Sequence, residues 1–336
     1  MPDVRPAARV RRWLDDTLWG PETGAHLVVV QVGLVALIGL RVVLGSYRQL
    51  AETPSALVDP VPFLFWLDRM PSVGAFVALQ VIGGAAAVVA VVAFVRSATG
   101  RTEQPGQAGK PGQLGLIGLN QWVPRVAYAV AWACYLVLAG LRGSRGKVLH
   151  NDLLLVWASA PFLLAPLVTA AGWRDRVRRR VYGWPIRVST VVIALVYGFA
   201  GYHKLRRSGI DWVVGDNMRY VMLWGPSVGQ AAWEGMARWV GEHLWAARAS
   251  AAFILGLEIT FPLVLVYRRL QPVYAAAVVF LHITTWFVLG LDYWAWALAV
   301  PLVLVDWPAV VLPFRPPSRR DEALTDVGRT IEGAVS

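Results

Sequence analysis

Charge and cysteine are both scarce in this chain. Only 16% of its 336 residues are charged, against 57% hydrophobic. A soluble chain of this length carries far more charge on its surface. The single cysteine, Cys134, excludes a disulfide within the chain and a C-x-x-C redox pair. It lies inside an apolar run and reads as a small buried apolar residue. No runs alternate at period two, no cluster has zinc-ligand spacing and no Walker loop is present, so neither strands nor a metal are expected. Acidic residues are fewer than basic ones, 21 against 32, which leaves a net charge of +11. Nucleic-acid binding is one reading of a basic chain. The Arg residues, however, sit in short loops between apolar runs, the positive-inside pattern of a membrane protein, and no nucleic-acid partner is expected.

What the chain has in abundance is long apolar runs. A helix rises ~1.5 Å per residue, so roughly 20 apolar residues cross a hydrocarbon core of ~30 Å. Spanning segments must be helices or a closed barrel, because lipid offers no partner to a free backbone group. The expected fold class is therefore all-α, a polytopic transmembrane bundle of about eight spans. They cover 26–47, 74–95, 122–141, 151–171, 185–203, 247–267, 272–290 and 293–312, the last two joined by a tight hairpin at Gly290-Leu291-Asp292.

The Lys/Arg count in the loops gives an orientation with both ends inside. The cytoplasmic side then holds four Arg in 1–25, the run from Arg174 to Arg180, Arg268 and Arg269, and the basic start of the tail. Loop 142–150, with Arg142, Arg145 and Lys147, is discordant. Residues 1–25 read as a helix lying on the membrane, with Val10, Trp13, Leu14 and Leu18 opposite Arg11, Arg12, Asp15 and Asp16. The apolar run that follows is too long for a signal peptide. Residues 97–117, rich in Gly, Pro and Gln, read as a flexible loop, and 313–336 as a disordered cytoplasmic tail. The segment 205–246 carries Trp212, Trp224, Trp233, Trp239 and Trp245, and is expected along the outer membrane surface, as an anchor or a cover over a site.

Ionisable residues in spans are costly, and so point to pairing or function. Arg41 lies in span 1, Glu258 in span 6 and His282 in span 7; Lys204, preceded by His203, ends span 5; His150 and Asp152 open span 4; Asp292 is in the hairpin. Each has a plain alternative. Arg41 and Glu258 suit a mutual ion pair, Lys204 could snorkel to the headgroups, and His282 could make a structural hydrogen bond. Lysine withdrawn from water is also a residue type used as a general base. A base at a lipid-facing site suits a weakly acidic, lipid-soluble substrate such as a quinol.

The stretch Ala200-Gly201-Tyr202-His203-Lys204-Leu205, followed by Asp211-Trp212-Val213-Val214-Gly215-Asp216-Asn217-Met218, resembles the vitamin K-dependent γ-carboxylases and their bacterial relatives, the HTTM (horizontally transferred transmembrane) domain proteins. Leu40-Arg41-Val42-Val43-Leu44-Gly45, Leu257-Glu258-Ile259 and Phe280-Leu281-His282 are also similar, so the resemblance covers roughly 26–312. It implies a quinol of the vitamin K (menaquinol) type as cofactor, Lys204 as the base that deprotonates it, and His282 and His203 as its assistants. Trp212, Gly215, Arg41, Glu258 and, more loosely, His150 would bind substrate. Where those enzymes have a second Lys, this chain has His203, and their large luminal region has no counterpart in the polar tail.

Two other readings stay open. One is a non-catalytic membrane protein that binds, matures or exports a lipid or peptide, since HTTM proteins also resemble maturation proteins of a sporulation-delaying toxin. The other is a structural subunit of a membrane complex.

Overall fold

The computed structural model describes residue 15 and residues 17–100, 113–145, 152–228 and 231–311, with the side chains of 113–121 and 226–228 excepted. Of the reading of 1–25 as a surface helix, residues 1–14 lie outside these residues, as do His150 and the tail beyond 311. Of the loop read over 97–117, residues 101–112 lie outside them, while 97–99 and 113–117 are helical, as the ends of the two flanking helices.

Among the described residues the fold is all-α, apart from one isolated antiparallel bridge between Glu22 and Arg179. In chain order, α1 (Gly24–Leu44), α2 (Val73–Thr99) and α3 (Gln113–Gly143) pack together. Next come α4 (Leu153–Ser159), continued by a tighter turn to Leu164, and the short α5 (Ala170–Arg174). The long α6 (Arg180–Ser208) leads into three connecting helices, α7 (Asp211–Val214), α8 (Asn217–Val228) and α9 (Glu234–Glu242). Then follow α10 (Leu244–Thr260), α11 (Leu263–Val266), α12 (Gln271–Leu289) and α13 (Trp294–Leu304). The chain divides after Val305, and the second unit contributes the short α14 (Trp307–Val311).

Five helical segments among the described residues are long and apolar enough to cross a membrane: Gly24–Leu44, Val73–Thr99, Trp122–Gly143, Arg180–Ser208 and Arg268–Leu289. They match five of the eight runs read from sequence. The other three are shorter or broken, and in two of them proline is the reason. The first helical stretch of the run 151–171 reaches only from Leu153 to Leu164, about 18 Å, because Ala165, ahead of Pro166, turns extended. The run 247–267 is interrupted at Phe261-Pro262, between α10 and α11. The run 293–312 forms the 11-residue α13, which ends where the first unit does.

Local chemistry sets the helix ends. The Thr23 hydroxyl accepts the His26 N–H at 3.1 Å to start α1, and the Ser72 hydroxyl accepts from Ala75 to start α2. Gly290 closes α12 in the left-handed region, φ 66°, and its N–H bonds the Trp286 carbonyl. α2 and α3 approach through small residues. A Cβ on Gly83 would lie 2.8 Å from Cys134 Cβ, so the lone cysteine is packing material, as expected. The main core runs through α1 to α6 and on to α13. A second, smaller core of Met218, Met222, Ala237, Ala247, Ala251, Val288 and Leu289 fastens α8 and α9 to α10 and α12. Trp224, Trp233, Trp239 and Trp245 stay exposed on this connecting segment.

Candidate functional site

Gly201 sits where α6 crosses α10. A Cβ there would lie 3.0 Å from Glu258 Cβ and 2.9 Å from the Ile259 side chain, so only hydrogen permits this approach. One turn later on the same face, Lys204 reaches across the crossing. Its Nζ lies 2.5 Å from Glu258 Oε1 and 2.6 Å from Oε2. The Glu258 side chain is 10% exposed and that of Lys204 23%.

The next structural unit covers this pair. Gly209, at φ 56°, turns the chain after α6, and α7 follows as a single helical turn. It places the Trp212 ring with its centroid 5.3 Å from Lys204 Nζ, within range of a cation–π contact. Gly215 ends α7 by donating its N–H to the Asp211 carbonyl at 2.9 Å; a Cβ at that position would meet the same oxygen at 2.6 Å. The D-W-V-V-G stretch is thus the device that lays Trp212 over Lys204. The indole Nε1 is buried with no hydrogen-bond partner among the described residues.

Seven residues before Lys204, and so on the same side of α6, stands Tyr197. Its ring stacks on Phe261 of the α10–α11 break, with centroids 4.4 Å apart. Its hydroxyl lies 2.7 Å from His282 Nε2. His282 is packed against Tyr293 and Trp296, each with its centroid 5.3 Å away. Its Nδ1 is buried and has no partner among the described residues. Tyr197, Phe261, Tyr293 and Trp296 were not legible as site residues. The one sequence signal for them is the spacing of Tyr197, two helical turns ahead of Lys204.

The expected pairing of Arg41 with Glu258 is not what forms. Glu258 is engaged by Lys204, and Arg41 has other partners. Arg41 Nη2 and Nε lie 2.6 and 3.1 Å from Asp152 Oδ1, and Nη1 lies 2.7 Å from both oxygens of Asp292. Tyr135 donates to Asp152 at 2.8 Å, Arg142 approaches both acids at 3.4 and 3.7 Å, and the Trp294 ring lies 5.4 Å from the Arg41 guanidinium carbon. The network ties α1, α3 and α4 to the turn ahead of α13. Through Asp292 it adjoins Tyr293, which packs on His282.

His203 is not brought to the site. It is exposed, with its ring set edge-on against Tyr202 at 6.3 Å. Successive residues on a helix point about 100° apart, so its place beside Lys204 in sequence turns it away from Glu258.

A further buried acid went unread. Glu22, 3% exposed at its side chain, pairs with Arg187, with His26 at 3.2 Å, with Arg178 at 3.4 Å and with Arg268 at 3.9 Å. The starts of α1, α6 and α12 therefore lie together. In the loop before α6, the Val177 N–H and the Arg179 guanidinium hold the Asp175 carboxyl below its usual range. Gly225-Pro226-Ser227-Val228-Gly229 has G-x-S-x-G spacing, but 225–228 end α8 and no strand precedes them, so they do not form a strand–turn–helix elbow.

Chemically, the Lys204 end offers an ammonium and a carboxylate sharing protons under an indole. Beside it lies a phenol–imidazole pair in an aromatic wall. A scan against protein-family models gives no match to this chain, and searches among curated proteins and solved structures give none either.

Proposed function

We propose that the chain is a multi-pass cell-membrane enzyme of the HTTM and vitamin K-dependent γ-carboxylase type, whose site is the Lys204–Glu258 pair beneath Trp212. In this reading both chain ends are cytoplasmic, Lys204 lies at the outer face, and α4–α5, α10–α11 and α13 complete eight crossings. The observation that carries it is the two-oxygen contact of Lys204 with Glu258 at 2.5 and 2.6 Å, at the end of a membrane-length helix.

The surroundings suit a planar ring bearing oxygens. Trp212 Nε1 and His282 Nδ1 are buried ring nitrogens without partners among the described residues, and aromatic side chains pack around His282. A vitamin K-type quinol held there would supply, with oxygen as oxidant, the strong base that takes the proton from one C–H of a peptide or small-molecule substrate, whose carbon would then bond carbon dioxide. Lys204 and Glu258 receive the first proton, Trp212 keeps water from the pair, and Tyr197 fixes the ring of His282.

The test is direct. Purified protein given a naphthoquinol and oxygen is expected to form quinone epoxide. Lys204→Ala is expected to abolish it while unfolding as the wild type does. Well-folded protein that forms no epoxide from any of several quinols would overturn the reading. Lipid or peptide flux in liposomes that survives Lys204→Ala would favour a carrier instead.

A further inference from the structure

We propose that the face where α1, α6 and α12 begin is a binding surface for anionic phospholipid headgroups, selective over zwitterionic ones. It lies at the opposite end of α6 from Lys204 and is independent of the chemistry proposed there.

Glu22 gathers this surface. Its carboxylate lies 3.4 Å from Arg178 Nη1, in the loop before α6, and 3.9 Å from Arg268 Nη1, just ahead of α12. It also pairs with Arg187 inside α6. Its backbone pins the same loop: the Glu22 N–H donates to the Arg179 carbonyl at 3.1 Å, and the Arg179 N–H to the Glu22 carbonyl at 2.8 Å. Gly183 lets the segment before α1 lie against α6, where a Cβ would run into the Gly20 carbonyl. Two arginine-bearing stretches far apart in sequence, 174–180 and 268–269, thus form one patch fixed to the start of α1.

The acids in this patch are already committed. Glu22 is buried among the arginines it gathers, and Asp175 pairs with Arg179 at 2.9 Å. Arg174, Arg176, Arg180 and Arg269 are exposed, and none has an ion-pair partner among the described residues. Like charges held close raise one another's free energy, and an anion shared among them removes that cost. A phosphate diester matches the guanidinium fork.

The apolar neighbours decide which anion. Val177, Val181 and Tyr267 stand between these arginines, each at least half exposed. A free phosphate leaves such side chains in water. A phospholipid brings a phosphate with acyl chains beneath it, and so meets both kinds of group. The patch also sits at the ends of two membrane-length segments, Arg180–Ser208 and Arg268–Leu289, which is where headgroups lie when those segments cross a bilayer.

The test titrates purified full-length protein in neutral detergent with phosphatidylglycerol, and in parallel with phosphatidylcholine, and follows thermal unfolding. Phosphatidylglycerol is expected to raise the midpoint by about 2 °C or more at contents where phosphatidylcholine leaves it unmoved. Salt at about 0.5 M should erase the difference. Arg176→Gln with Arg180→Gln and Arg269→Gln is expected to remove the phosphatidylglycerol effect and keep the wild-type midpoint in phosphatidylcholine. Arg219→Gln with Arg238→Gln, at exposed positions of α8 and α9, is the control and should retain the effect. Should the triple variant misfold, Arg269→Gln alone should lose part of it.

Equal responses to the two lipids overturn the proposal. So does a phosphatidylglycerol effect that the Arg→Gln variants of the patch retain, which would put the lipid elsewhere. An equal rise from glycerol 3-phosphate without acyl chains would make a free phosphate the ligand, and overturns it as well.

Discussion

Arg41 and Asp292, 251 residues apart in the chain, meet with the Arg41 Nη1 at 2.7 Å from both carboxylate oxygens. Asp152 takes the other edge of the same guanidinium, with its side chain 3% exposed. The two acids are not equivalent, because the Asp292 side chain is 36% exposed and can be rehydrated. Arg41→Met leaves the buried Asp152 with the longer Arg142 contact and the Tyr135 hydroxyl alone, and is expected to cost about 3–5 kcal/mol. Asp292→Asn is expected to cost about 1 kcal/mol or less. Denaturant unfolding in detergent measures both, and equal losses would contradict this account.

Gly201 sets the distance between α6 and α10. Its missing Cβ would stand 3.0 Å from the Glu258 Cβ, an atom with little freedom to move. Gly201→Leu is expected to force the helices apart, cost about 1–3 kcal/mol by overpacking, and break the Lys204–Glu258 contact. Loss of quinone-epoxide formation reads the second effect and thermal unfolding the first. Gly256, where an added Cβ meets nothing within 4 Å, is the control on α10.

The phenol of Tyr197 is the one hydrogen-bond partner of the His282 ring among the described residues. Tyr197→Phe leaves both imidazole nitrogens buried and unpaired, and is expected to cost about 1–3 kcal/mol. Adding His282→Phe removes the polar group left behind. The double variant should therefore be less destabilised than the sum of the two singles, and a double-mutant cycle in unfolding measures the difference. Simple additivity would mean that the 2.7 Å contact contributes nothing.

Orientation is testable by thiol labelling on whole cells. The lone Cys134 is buried and can be replaced by Ala to give a silent background. Asp216→Cys, at an exposed position before α8, is expected to react with an impermeant maleimide added outside. Arg176→Cys, exposed in the loop before α6, should react only after the cells are opened. The reverse pattern would invert the proposed topology.

Long apolar runs need no partner to be recognised, which is why the five membrane-length helices could be read from the sequence. The breaks in 151–171 and 247–267 were not, because apolarity alone does not register that Pro166 and Pro262 interrupt a helix. Lys204 and Glu258 were each conspicuous as charges in apolar surroundings. Their pairing was not, since it depends on the crossing at Gly201, and that crossing is tertiary. The mistaken match of Arg41 with Glu258 has the same origin. Opposite charges were paired without knowledge of depth, while Asp152 and Asp292, though noted as ionisable groups near the membrane, were given no partner. His203 shows the opposite error, in which adjacency along the chain was taken for adjacency in space.

The clamp around Glu22 has a consequence for the order of events during synthesis. Glu22 is made 156 residues before Arg178, so at usual elongation rates its carboxylate waits roughly 8–30 s for that partner. Arg268 arrives later still. Through that interval the acid just ahead of the first helix has, among the described residues near it in sequence, His26, four residues along, as its partner. The assembled bundle is therefore a product of late chain, and a ribosome stalled before α6 would leave α1 inserted but unclasped.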